Sequence, residues 1–158
     1  MDIQTLRLTS GATLVAYLQE QTPELPQSGR RPGLLVFPGG AYQVTSHREG
    51  EPVALRFATL GYQPFVLYYT VETPHPQPLM DACEAMRLLR RESDRFHLQP
   101  DRLAVCGFSA GGHLALSLST LWNKLPFGGP ECRPDATLGC YPVASSHVKR
   151  RHEDTFRV

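Results

Sequence analysis

The chain has 158 residues, enough for one domain with a real core, and its 16 basic and 15 acidic side chains leave a net charge of +1, no field for nucleic acid or an anionic membrane. No run reaches the ~20 apolar residues that cross a bilayer, and residues 1–7 lack the basic start and apolar stretch of a secretory signal. The four cysteines (Cys83, Cys106, Cys132, Cys140) show no Cys-x-x-Cys spacing, which argues against a zinc knuckle or redox motif and leaves a cytoplasmic protein with reduced thiols as the expectation.

Residues 3–8 and 13–19 read as two strands around a Ser10-Gly11 turn. Residues 21–32, with three prolines and polar clusters, form a surface loop. The compact apolar run 33–37 is a strand of the kind that a parallel sheet covers on both faces, and it ends in Pro38-Gly39-Gly40-Ala41-Tyr42. Residues 51–60 carry Val53, Phe57 and Leu60 at helical spacing, with Pro52 near the start and Gly61 after the end.

A dense apolar strand follows at 64–71, then a loop with Pro74, Pro76 and Pro78. The longest helix spans 79 to about 96, with Leu79, Ala82, Met86 and Leu89 on one side and Glu84, Arg87 and Arg91 elsewhere. A strand at 102–106 leads through Gly107-Phe108-Ser109-Ala110-Gly111 into a helix over 111–122. After a loop at 123–134, a last strand occupies 136–141 and Pro142 closes it. Cys83 and Cys106 fall in apolar segments and read as small core residues. Alternating strands and helices from residue 33 onward imply parallel β-α-β units, with the first two strands as an antiparallel edge.

A serine between two glycines at a strand-to-helix turn has a chemical reading. The glycines permit a bend too tight for side chains, and the helix N-terminus favours negative charge near Ser109. Serine attack on a carbonyl also needs donors for the charge that develops on oxygen. The Ala110 N–H lies just after Ser109, and the small residues Gly40 and Ala41 let backbone N–H groups approach closely, so these three are the candidate donors. Tyr42 and His47, which follow that loop, are candidate substrate contacts. His113, four residues after Ser109, is expected to pack under the turn.

The stretches 38–42, 77–81, 100–115, 134–135 and 140–143 together resemble the acetyl-esterase branch of the α/β-hydrolases, described as acetylxylan esterase-like and related to the hormone-sensitive-lipase-like esterases. Ser-Ala-Gly-Gly-His-Leu-Ala at 109–115 is the most specific part. The resemblance implies a mostly parallel sheet with helices on both faces. It also implies a nucleophile at Ser109, an oxyanion hole at Gly40, Ala41 and Ala110, and hydrolysis of short acyl esters, often acetyl groups on sugars, without metal or cofactor.

That fold commonly needs roughly 200–250 residues, and its triad places an acid and then a histidine after the serine. His147, His152, Glu153 and Asp154 follow the last strand without a further strand to position them. The expectation is therefore one incomplete N-terminal α/β-hydrolase domain over 1–158, lacking C-terminal strands. Its own turnover would be weak, and its exposed sheet edge could pair two copies. The alternative is a non-catalytic binding module on a partial hydrolase sheet.

Overall fold

Within residues 1–24 and 29–145, which the computed structural model describes, strands and helices alternate as the periodicity predicts. Their order is β1 (Asp2–Arg7), β2 (Thr13–Leu18), β3 (Arg31–Phe37), α1 (Glu51–Ala58), β4 (Gln63–Tyr68), α2 (Gln77–Arg91), β5 (Leu98–Phe108), α3 (Ala110–Leu121) and β6 (Ala136–Cys140). Single 3-10 turns lie at His47–Glu49 and Pro130–Cys132. The strands form one sheet in the order β1-β2-β4-β3-β5-β6. β1 and β2 are antiparallel to their neighbours, whereas β4, β3, β5 and β6 run parallel.

Side-chain alternation along the strands assigns the two faces. Leu35 and Phe37 of β3, Phe65 and Leu67 of β4, and Leu103 and Val105 of β5 pack with Leu79, Met86 and Leu89 of α2 and Leu114 and Leu118 of α3. Their neighbours Leu34, Val36, Val66 and Cys106 face the other way, against Ala54 of α1. Two helices thus cover one face and one covers the other, so β3, β4 and β5 are apolar on both sides. The four cysteines are free thiols, with Cys83 and Cys106 each 1% exposed, as core residues should be. β6 is the outer strand on its side, and its Leu138 is 39% exposed. Among the described residues no helix is long and apolar enough to cross a membrane.

Several boundaries differ from the sequence expectation, and those of α2, β5 and β4 have a physical reason. α2 begins at Gln77, with Pro78 inside its first turn, where a missing N–H has no intrahelical partner to lose. It also ends at Arg91 rather than near 96. The chain there turns back through His97, at φ 52°, and Leu98 N–H donates to Ser93 O at 2.8 Å. β5 therefore starts at Leu98 and not at 102. Leu98 pairs with Arg31 before a register shift ahead of Gly33, and Pro32 sits in that irregularity, where no ladder bond is needed.

β4 ends at Tyr68 instead of 71 because Thr70 leaves the sheet for Asp81 on α2. Asp81 is fully buried, and its carboxylate accepts Thr70 N–H (2.6 Å), Thr70 Oγ1–H (2.5 Å) and Gln77 Nε2–H (2.9 Å). A buried carboxylate with three donors is stable, whereas its removal leaves those donors orphaned. Asp81→Ala should lower unfolding free energy by about 3 kcal/mol, and Thr70→Val by about 1.5 kcal/mol. Urea titration checks both, and equal midpoints for Asp81→Ala and the parent would remove this account of the loop.

Candidate active site

The chain leaves β3 toward β4 on one side and leaves β5 toward β6 on the other. The carboxyl ends of β3 and β5 are nevertheless neighbours, with Phe37 paired to Gly107. Loops that diverge from adjacent strand ends leave a crevice, where open α/β sheets hold their ligands. The loops that follow Phe37 and Phe108 begin at that point.

Ser109 occupies the turn between β5 and α3 at φ 51° and ψ −115°, a conformation that costs an L-residue of order 1–3 kcal/mol. The chain can bend so sharply because a Cβ on Gly107 would stand 2.1 Å from Gly111 O. One on Gly111 would stand 2.1 Å from Phe37 O and 2.5 Å from Pro38 O. The bend is thus packed backbone against backbone, on itself and on the end of β3. The loop after β3 is as close to the serine: an ideal Cβ at Gly39 falls 2.8 Å from Phe108 O and 3.1 Å from Ser109 Cβ. The two stretches singled out in the sequence therefore meet, and Ser109 remains half-buried rather than enclosed.

The amides of Gly40, Ala41 and Ala110 have no acceptor among the described residues. Their directions are nonetheless fixed, because a trans peptide holds N–H opposite to C=O. The peptide carrying Gly40 N–H has its carbonyl, Gly39 O, bonded by Ser46 N–H at 2.8 Å. The one carrying Ala41 N–H has Gly40 O bonded by Gln43 N–H (3.0 Å) and Val44 N–H (3.1 Å). The one carrying Ala110 N–H has Ser109 O bonded by His113 N–H (3.0 Å) and Val143 N–H (3.2 Å). Ala110 is also the first residue of α3, whose N-terminal N–H groups carry partial positive charge. Donors without an acceptor are the groups that could receive an anionic oxygen.

Beneath the loop, Tyr69 O–H donates to Pro38 O at 2.7 Å, and Tyr42 Oη lies 2.9 Å from His113 Nδ1. The Tyr42 and Tyr69 rings pack at 5.6 Å. Burial raises both phenols above the usual tyrosine range; burial first, then the charge of His75, lowers the His113 imidazole. Tyr42 is only 8% exposed, with its hydroxyl engaged by His113. His113 packs under the turn, as expected. His47 is exposed in its 3-10 turn, with its ring 5.4 Å from that of Tyr68. His147, His152, Glu153 and Asp154 lie outside the described residues.

Two residues that the sequence reading did not select also border the site. Glu49 accepts Gly39 N–H through Oε2 at 2.7 Å and Tyr141 O–H through Oε1 at 2.5 Å. That second bond, with burial adding to it, pushes the Tyr141 phenol up to about 12. Tyr141 follows β6 at φ 39° and packs its ring 5.9 Å from Phe108.

The chain is 33% identical over 138 residues to endo-1,4-beta-xylanase B of Butyrivibrio fibrisolvens and 32% identical over 146 residues to an acetylxylan esterase of Xylanibacter ruminicola. These matches take in 81% and 90% of this chain but 22% and 27% of those proteins. Among solved structures, MGS-M1, an α/β-hydrolase enzyme from a Medee basin deep-sea metagenome library, superposes with a TM-score of 0.81 at 39% identity. It is matched over 95% of this chain and 61% of its own. An acetyl ester-xyloside bifunctional hydrolase of Caldicellulosiruptor lactoaceticus gives 0.79 at 39% identity, over 92% of this chain and 53% of its own. The chain therefore spans between half and two thirds of these structures. The BD-FAE family model matches residues 22–133, and with the sheet order and these α/β-hydrolase neighbours it places the chain in the BD-FAE family.

Proposed function

We propose that the chain carries the nucleophile and oxyanion-binding half of a serine esterase acting on short acyl esters, acetyl groups on carbohydrates among them. One observation carries this reading: Gly39 packs against Ser109, so that the oriented amides of Gly40 and Ala41 share a crevice with that of Ala110. The acetylxylan esterase of Xylanibacter ruminicola and the acetyl ester-xyloside hydrolase of Caldicellulosiruptor lactoaceticus support the substrate class.

In this reading Ser109 Oγ forms a bond to the acyl carbon, and the carbonyl π electrons move onto oxygen. That oxyanion accepts the three N–H groups. The serine proton passes to a base and from it to the leaving alcohol as the carbon–oxygen ester bond breaks. Water then attacks the acyl-Ser109 ester by the same route in reverse, and the carboxylic acid departs. In this reading His47, which is exposed, contacts the alcohol portion. No described residue is assigned the base, so turnover by the 158-residue chain is expected to be weak. An intact oxyanion hole without its histidine still leaves roughly 10³–10⁴-fold catalysis over water.

A fluorophosphonate probe should label the full 158-residue chain at Ser109 alone, slowly, as read by peptide mass spectrometry. Hydrolysis of p-nitrophenyl acetate should exceed that of Ser109→Ala. Labelling elsewhere, or none together with hydrolysis equal to the Ser109→Ala background, would overturn the esterase and leave the binding module. Gly111→Ala should reduce the labelling rate roughly a hundredfold or more, because its methyl group forces the bend away from Phe37 and Pro38 and so from the loop donors. An unchanged rate in that variant would mean that the two stretches do not act together.

A further inference from the structure

We propose that Glu49 is a positioning residue for the Ser109 reaction: its carboxylate ties the Gly39 peptide to Tyr141 and thereby holds the Gly40 and Ala41 amides in direction. The inference rests on the esterase reading above and deepens it by naming what preorganises its oxyanion site.

The loop 39–49 closes on itself through one glycine. Ser46 N–H donates to Gly39 O at 2.8 Å, and Gly39 N–H donates to Glu49 Oε2 at 2.7 Å. Glu49 is delivered there by the 3-10 turn His47–Glu49, in which Glu49 N–H donates to Ser46 O at 3.1 Å. Gly39 is thus gripped at its amide and at its carbonyl, and that carbonyl belongs to the peptide whose other end is Gly40 N–H. Gly40 itself stands at φ 135°, where a backbone without side-chain restraint has wide freedom. Without the Glu49 bond, Gly39 can rotate and carry the donor with it.

The other carboxylate oxygen reaches across the crevice. Tyr141 O–H donates to Glu49 Oε1 at 2.5 Å, and Tyr141 belongs to the segment that locks the serine turn: Ser109 N–H donates to Cys140 O at 3.1 Å and Val143 N–H to Ser109 O at 3.2 Å. An ideal Cβ at Gly39 lies 2.8 Å from Glu49 Oε2 and 3.1 Å from Ser109 Cβ, so carboxylate and serine flank the same glycine. Glu49 therefore links the loop after β3 to the loop after β6, the two walls between which Ser109 stands. Both its oxygens accept hydrogen bonds, and its action on the reaction is through the peptide that it holds.

A glutamine can make the same bridge, its Oε1 accepting Gly39 N–H and its Nε2 donating to Tyr141 Oη. Position and charge are thereby separable. In the full 158-residue chain, Glu49→Ala should speed hydrogen exchange of the Gly39 amide roughly tenfold or more and slow fluorophosphonate labelling of Ser109 by a similar factor, while unfolding stays cooperative. Glu49→Gln should keep both rates within about threefold of the parent. Tyr141→Phe, which loses one of the two bonds, should fall between.

Unchanged Gly39 exchange in Glu49→Ala overturns the proposal, as does faster exchange with unchanged labelling. Equal losses in the glutamine and alanine variants would assign Glu49 an electrostatic role and overturn positioning. Should Glu49→Ala not fold, parent-like labelling in Tyr141→Phe, or a loss of Gly39 protection of roughly tenfold or more in Glu49→Gln, overturns it. A parent chain that does not label at Ser109 sinks the esterase reading and this inference with it. That failure is distinguishable, because Gly39 exchange still reports whether the bridge exists.

Discussion

A helix can press its first turn against the end of a neighbouring strand only where no side chain stands between them, and at Gly111 the room is gone. The carbonyl oxygens of Phe37 and Pro38 occupy the space that a Cβ would need. Everything at the crevice follows from this approach. It brings the start of α3 to the end of β3, and it sets the serine turn beside the loop that β3 feeds. Phe37, paired to Gly107 and fully buried, holds the same junction from within the sheet. The parallel pairing of β3 and β5 is thus more than scaffold, because its register decides which atoms meet at its end.

Strain gathers at the same place. Of the non-glycine residues with positive φ, Ala41, Tyr42, Ser109 and Tyr141 all border the crevice. Such conformations persist only where surrounding contacts over-determine them. Ser109 has its N–H and C=O bonded on both sides by the 140–143 segment and by α3. Tyr42 is buried against Tyr69 and bonded with His113, and Tyr69 in turn holds Pro38 O. The local cost is offset by a core that fills both faces of the sheet.

The fold was legible because β3, β4 and β5 alternate between two apolar faces, and a buried parallel strand has no other composition available to it. The serine turn was legible for a stricter reason: Gly107 and Gly111 answer to sterics that no other residue satisfies. Element ends were harder. Pro78 reads as a breaker in sequence, yet the first turn of a helix tolerates it. Thr70 reads as strand, yet a buried carboxylate eleven residues later draws it out of the sheet. Glu49 left no local signal at all. An acidic residue between Arg48 and Gly50 looks like a solvated turn, and its partners, Gly39 and Tyr141, lie ten and ninety-two residues away. Pairings at such separations are set by topology and not by any periodicity along the chain.

Where the donors come from bears on how such a site can be assembled. The family match ends at residue 133, whereas the bonds that hold Ser109 on one side come from Cys140 and Val143, and the exposed ring above them is Tyr141. The serine turn therefore depends on β6 as much as on the strand that carries it. β6 must add in parallel to β5 with Phe108 opposite Cys140 for the Cys140 carbonyl to meet Ser109 N–H. A slip of one residue would turn every side chain of β6 to the opposite face. It would also remove that carbonyl from the turn. Gly112 narrows the choice further, since Pro142 Cβ lies 2.8 Å from where its own Cβ would stand, so the segment after β6 can cross α3 only at a residue without a side chain. Two strand ends, β3 and β6, thus close on the third from opposite sides, and the geometry of the nucleophile is a property of all three.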